Sequence, residues 1–426
     1  MSGYVLLLLF FGLLFAGLPV AFSMIFSSGL YFILSDMSLM VMAQRMGGAL
    51  NSITLLAVPT FIFAGCIMNN GGLTDSLFKA VNTSRVGKLK GGLAYVNVLA
   101  SLIFAGMSGA ALADLGGLGN VELKAMRENG YAEDDAIGIT LASAAIGPIF
   151  PPSIPLLIYA LVASVSGVKI LLAGVFPGLL LTIALMITVF IFAKKKNFPR
   201  GNINISKKEK FAVQIKGLPA LVAPIILLGG LFTGTFSPTE LACVAVMYSA
   251  LVGFTIYRKI NMHSIVTSAM ETTSMVSNTM FIMAAATVFA FILTVERIPQ
   301  SLQVIINQLT NSRILLILVV NIVLFIVGMV MDTGIAILIF VPMIVPILTA
   351  AGMDPLQIGV MMCFNLVIGL YTPPFGTCLF MASSMTKRPV ERIVKAIAPY
   401  YITLIIALLL ISFIPALTVW LPNAIF

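Results

Sequence analysis

Two stretches decide the fold: Gly147-Pro148-Ile149-Phe150-Pro151-Pro152-Ser153 and Gly369-Leu370-Tyr371-Thr372-Pro373-Pro374-Phe375-Gly376. Both lie inside long apolar runs. A proline pair removes two backbone donors from a helix and blocks the turn before it. In hydrocarbon, such a defect persists only where protein covers it or where it lines a wet cavity. Each break follows a glycine-rich turn, Gly106-Met107-Ser108-Gly109 in one case and Gly328-Met329-Val330-Met331-Asp332 in the other. Gly106 to Gly328 and Pro151 to Pro373 are the same 222 residues apart. This spacing is an internal repeat, and it predicts one half-site per copy, the two meeting at mid-membrane.

Composition fixes the class. Of 426 residues, 60% are hydrophobic and 9% charged, against about 25% charged in soluble domains. The mean hydropathy is +1.11. The apolar runs are far longer than the roughly ten residues of a barrel strand, so the expectation is an all-α polytopic membrane protein. The net charge of +9 does not point to nucleic acid, because the cations sit in short loops between apolar runs and report topology. No GxxxxGK[ST] motif is present, so no P-loop hydrolyses ATP here. The four cysteines form no CxxC pair, and His263 stands beside Arg258 and Lys259 in a loop-like stretch. Buried inert thiols and an ordinary surface histidine are the expectation. The first apolar run has neither the basic start nor the small-residue site of a signal peptide and reads as a retained span.

Taken in order, residues 1–193 form the first copy: scaffold helices in 1–70, a hairpin in 92–126 and a broken helix in 133–166. A single helix over 92–126 would be about 52 Å long, beyond the ~30 Å hydrocarbon core. A re-entrant hairpin with its tip at Gly106–Gly109 fits better. Residues 194–216 carry eight Lys/Arg against Glu209 and form a basic linker. Residues 217–426 form the second copy, with a hairpin in 313–350 and a broken helix in 355–385. Each copy has about five crossings besides its hairpin, and an odd number inverts the second copy. With 194–216 in the cytoplasm, both termini fall outside. Then 20 of the 24 Lys/Arg are inside and four (Arg45, Lys169, Arg297 and Arg313) outside. Ser237-Pro238-Thr239-Glu240 reads as a capping box opening a helix with proline at its first position.

This architecture transports rather than makes bonds; no nucleophile–base pair or metal cluster is evident, and an enzyme is not expected. Carbonyls and hydroxyls are hard ligands suited to sodium, and helix N-termini favour anions. The candidate sodium ligands are Gly106, Ser108, Gly109, Ser143 and Gly147 in the first copy, and Gly328, Asp332, Thr333, Gly369, Thr372 and Gly376 in the second. The candidate substrate residues are Ser108, Asp114, Ser153, Asp332 and Thr377. Asp332 stands out because an acidic residue in a span needs a reason to be there.

Phe104-Ala105-Gly106-Met107-Ser108-Gly109-Ala110-Ala111-Leu112-Ala113-Asp114, the Pro-Pro-Ser break, Phe236-Ser237-Pro238-Thr239-Glu240 and the second break together resemble the large membrane subunit of tripartite ATP-independent periplasmic (TRAP) transporters. The resemblance runs over essentially the whole chain and its texture is most similar to sialic-acid members. The family more often has Ser at the position of Ala110 and Thr at that of Ser237. The resemblance implies sodium-driven import of an organic acid anion, using about two or more sodium ions and no organic cofactor. It implies an elevator-type architecture in the bacterial inner membrane. It also implies two partners, a small four-helix membrane subunit and a periplasmic substrate-binding protein. Two other readings are a stand-alone sodium/dicarboxylate carrier of similar fold, which would need no binding protein, and a non-transporting scaffold subunit.

Overall fold

The computed structural model describes residues 3–51, 54–200, 206–298, 300–301 and 312–426. Residues 201–205 of the basic linker therefore lie outside it. The described residues are helical, and seven helices are long and apolar enough to cross a membrane. The first half contains α1 (Gly3–Phe15), α2 (Val20–Leu34), α3 (Leu39–Leu50), α4 (Ala57–Asn70) and α5 (Leu73–Asn82). It continues with α6 (Gly92–Ser108), α7 (Ala111–Asp114), α8 (Asn120–Glu128), α9 (Glu133–Ala144), α10 (Ile154–Val162), α11 (Gly167–Ala173) and α12 (Val175–Lys195). The second half contains α13 (Lys207–Thr233), α14 (Pro238–Thr255), α15 (Met262–Val295), α16 (Arg313–Val330), α17 (Thr333–Ala350), α18 (Pro355–Gly369), α19 (Thr377–Thr386), α20 (Val390–Phe413) and α21 (Ala416–Ile425).

Two layers position the site. In the outer layer α4 packs on α14 and α15, α13 on α5, and α15 on α2 and α3. Glu296, just past α15, ties this layer to the start of α1. It accepts from the Tyr31 hydroxyl at 2.5 Å and from the Gly3 N–H at 2.8 Å. The Tyr31 bond, and then the Gly3 bond, hold its carboxyl below the usual carboxylate range. The inner layer holds the hairpins and the broken helices, where the packing is reciprocal. The second arm of the first broken helix, α10, packs on α17 of the second hairpin. The second arm of the other, α19, packs on α7 and the π-helical turn Leu115–Gly119 of the first hairpin.

Several boundaries differ from those expected. The third span of the second half was expected over 272–295, but α15 begins at Met262 and has 34 residues. Its polar first turns looked like loop. The reason they are helical is a cap: Asn261 Oδ1 accepts from the Ser264 N–H at 2.8 Å. The first span of that half likewise starts inside the basic linker. There Ser206 and Glu209 form a capping box, at 3.2 and 2.9 Å. The last span, expected over 397–421, is two helices, α20 and α21. The Ser237–Glu240 capping box is present with both of its bonds.

The return arms of the two hairpins are unlike. In the second, α17 runs 18 residues without interruption. In the first, four residues of α7 give way to the π-helical Leu115-Gly116-Gly117-Leu118-Gly119 before α8. Three glycines in five positions weaken an α-helix here and let it widen.

Candidate ion and substrate site

In each half the hairpin tip is stitched to the broken helix beside it. Asn97 of α6 accepts from the Ser143 hydroxyl of α9 at 2.6 Å and donates to Thr140 Oγ1 at 2.8 Å. The equivalent in the second half is Asn321 of α16, whose Oδ1 accepts from Asn365 Nδ2 of α18 at 2.7 Å. Ser143 and Asn365 are again 222 residues apart. These polar groups are buried, and buried polar groups need such partners. At the tips, the Gly109 carbonyl accepts from the Ile154 N–H at 3.2 Å, and the Met329 carbonyl from the Phe375 N–H at 3.1 Å. Phe375 follows its proline pair directly and Ile154 follows its own after Ser153, and both Pro-Pro bonds, Pro151–Pro152 and Pro373–Pro374, are cis. The close approach explains the glycines. Gly109 has φ +65°, and a Cβ there would run into the Pro152 carbonyl. A Cβ on Gly328 would stand 2.8 Å from the Leu366 carbonyl oxygen, and one on Gly369 would meet the Gly328 backbone.

Between the two layers lies a cavity of about 770 Å³. The first hairpin lines it with Phe104, Ser108, Ala110, Leu112, Ala113, Gly116 and Gly117, the second with Asp332, Gly334, Ile335 and Leu338. Ile154 and Met381 come from the broken helices. The outer layer contributes Ile62, Gly65, Cys66 and Asn69 of α4, and Glu271, Met275, Asn278, Thr279 and Ile282 of α15. None of these lining residues is basic.

Of the residues singled out from sequence, the cavity brings together Ser108 and Asp332. Ser108 is 2% exposed and its hydroxyl has no hydrogen-bond partner among the described residues. Asp332 caps α17 through a 2.8 Å bond from the Gly334 N–H. Thr333, beside it, is buried with its hydroxyl also unpartnered. Among the described residues each tip thus carries one buried hydroxyl without a hydrogen-bond partner. Asp114 is 2% exposed and stands behind the cavity wall. Ser101 stands beside its carboxyl, and the equally buried Glu122 lies within its electrostatic reach.

The other hydroxyls are engaged or elsewhere. Ser143 is committed to Asn97. Thr372 donates to the Ile368 carbonyl at 2.9 Å. Ser153 donates to the Pro148 carbonyl and caps α10 through the Leu156 N–H at 3.2 Å. Thr377 opens α19 on an exposed surface and is not among the lining residues. Gly106 packs on Pro224, Gly147 on Ala110, and Gly376 against the carbonyls of Leu370 and Thr372. These three serve close packing of the tips and breaks.

Sequence reasoning passed over the outer-layer wall. Asn69, Glu271, Asn278 and Thr279 sit in segments that read as scaffold or loop. The available signal was Glu271 and Asn278 at i and i+7, on one face of a helix whose other residues are uncharged from there to its end. The triple glycine of 115–119 was a second signal.

Residues 7–417 match the family described as tripartite ATP-independent periplasmic transporter, DctM component. The chain is 38% identical to the sialic acid TRAP transporter large permease protein SiaM of Vibrio cholerae, over 97% of this chain and 96% of that one. It is 35% identical to the sialic acid TRAP transporter permease protein SiaT of Haemophilus influenzae, over 99% of this chain and 68% of that one. It is 38% identical to the C4-dicarboxylate TRAP transporter large permease protein DctM of Pseudomonas aeruginosa, over 87% and 86%. Among solved structures, the Alcanivorax borkumensis YdaH transporter has a similar fold, with a TM-score of 0.65 at 16% identity, covering 90% of this chain and 88% of that one.

Proposed function

We propose a function from one premise: this chain belongs to the DctM family, a membrane component of tripartite ATP-independent periplasmic transporters. As the large permease of such a secondary transporter, it imports an organic acid anion across the bacterial inner membrane, driven by sodium. The anion is a sialic acid, N-acetylneuraminate, handed over by a periplasmic substrate-binding protein. A small four-helix membrane subunit completes the complex, and both termini face the periplasm. The names of two relatives support the substrate.

One observation carries the coupling. The cavity wall contains Asp332 and Glu271 and no basic residue. An anion entering a site lined by two carboxylates is repelled unless cations enter with it. Sodium ions at the tips, on Ser108, Asp332 and Thr333 with nearby carbonyls, supply that charge. At a tenfold gradient and −100 mV, each inward sodium contributes about 3.7 kcal/mol, against about 2.3 kcal/mol for moving one anionic charge. Two ions therefore drive accumulation with about 5 kcal/mol to spare. In an elevator cycle the hairpins and broken helices move against the outer layer, exposing the cavity to each side in turn.

The test is uptake of labelled N-acetylneuraminate into proteoliposomes containing the whole transporter and its binding protein. Replacing external sodium by potassium should abolish uptake. Undiminished uptake in potassium refutes sodium coupling. Uptake that needs no binding protein would point to the stand-alone carrier.

A further inference from the structure

Building on the anion-import reading above, we infer that Glu271 and Asn278, on the outer-layer wall, recognise hydroxyl and amide donors of the substrate and select polyhydroxylated monocarboxylates over dicarboxylates. Glu271, Met275, Asn278 and Ile282 occupy i, i+4, i+7 and i+11 of α15 and all line the cavity, so one stripe of a single helix faces it. Asn70 holds Glu271 in place. Its Nδ2 donates to Glu271 Oε2 at 3.3 Å and to Ser268 Oγ at 2.9 Å. Among the described residues, no cation pairs with Glu271 and Oε1 has no hydrogen-bond partner.

An ionised carboxylate accepts hydrogen bonds and donates none. This wall therefore attracts hydroxyl and N–H groups and repels a second carboxylate. The tip residues Ser108 and Asp332 line the same cavity. A substrate with its one carboxylate toward the tips and its hydroxyls toward α15 satisfies both walls. A four-carbon dicarboxylate would turn its second charge toward Glu271. The volume agrees: about 770 Å³ falls within the ~300–1,000 Å³ typical of sites for drug-sized ligands, far more than a four-carbon diacid fills.

The test uses the purified complex of this chain with its small subunit, in sodium, following ligand-induced shifts of thermal unfolding, so that binding-protein selectivity does not enter. In the wild type, N-acetylneuraminate should raise the unfolding temperature and succinate should not. Glu271→Gln should raise the N-acetylneuraminate concentration for half the shift about tenfold or more. It should make succinate a stabilising ligand, with sodium still stabilising the variant. Glu271→Asp should retain the wild-type preference. Asn278→Ala should weaken N-acetylneuraminate by a smaller factor, and it decides the matter if the Gln variant does not fold. A Gln variant that binds N-acetylneuraminate like wild type and still excludes succinate overturns the inference. So does one whose sodium response is also lost, or an Asn278→Ala without effect. A wild type that responds to neither sodium nor N-acetylneuraminate defeats the transport reading instead, which sets the two failures apart.

Discussion

The two hairpin tips occupy equivalent places and are built differently. At the first, α6 ends on a left-handed Gly109 pressed against the Pro152 carbonyl, and the nearest free side-chain group is the Ser108 hydroxyl. At the second, α16 ends in extended backbone and a carboxylate, Asp332, caps the next helix. The first return arm is interrupted by a π-helical turn, and the second is continuous. Duplication thus preserved the frame, namely tip carbonyl to break, and asparagine stitch between the first arms. The side chains at the tips differ: the first carries the Ser108 hydroxyl, the second the Asp332 carboxylate beside the Thr333 hydroxyl.

The largest test of that contrast compares Asp332→Asn with Ser108→Ala in sodium-driven uptake. Removing the charge should cut uptake by at least about a hundredfold, because it takes away the countercharge while the Asn amide oxygen still caps α17. Removing the neutral hydroxyl should raise the half-saturating sodium concentration about tenfold and leave the maximal rate within a few-fold. Equal losses would mean the tips are functionally alike.

A smaller effect concerns packing. Gly109→Ala adds a Cβ at positive φ against the Pro152 carbonyl, and should destabilise the protein by about 3 kcal/mol. Gly147→Ala, whose Cβ would meet its nearest neighbour at 3.4 Å, should cost under about 1 kcal/mol. Unfolding of both variants in detergent checks the ranking. Smallest is Ser237→Ala, which removes half of an exposed capping box. It should lower the unfolding temperature by a degree or two and leave uptake per folded molecule unchanged.

How much of this was legible in advance follows from what each feature depends on. The proline pairs, the glycine turns and their 222-residue spacing are local signals that hydrocarbon makes expensive, so the breaks and tips could be located from sequence. Asp332 was visible for the same reason. Ser153 and Thr372 were not separable from Ser108 by residue type. Only coordinates tell that the first two donate to Pro148 and Ile368 while the third is free. The early start of α15 depended on the Asn261 cap, a weak cue beside ten polar-leaning residues. Glu271 was hidden because its meaning comes from what faces it across a cavity, a long-range fact that no window of sequence contains.

The crossed seating of α10 on α17 and of α19 on α7 has a mechanical corollary. Each tip is bonded to the break of its own half and also leans on an arm lent by its counterpart. A displacement of either hairpin must therefore carry with it the arm of the other half that is packed against it.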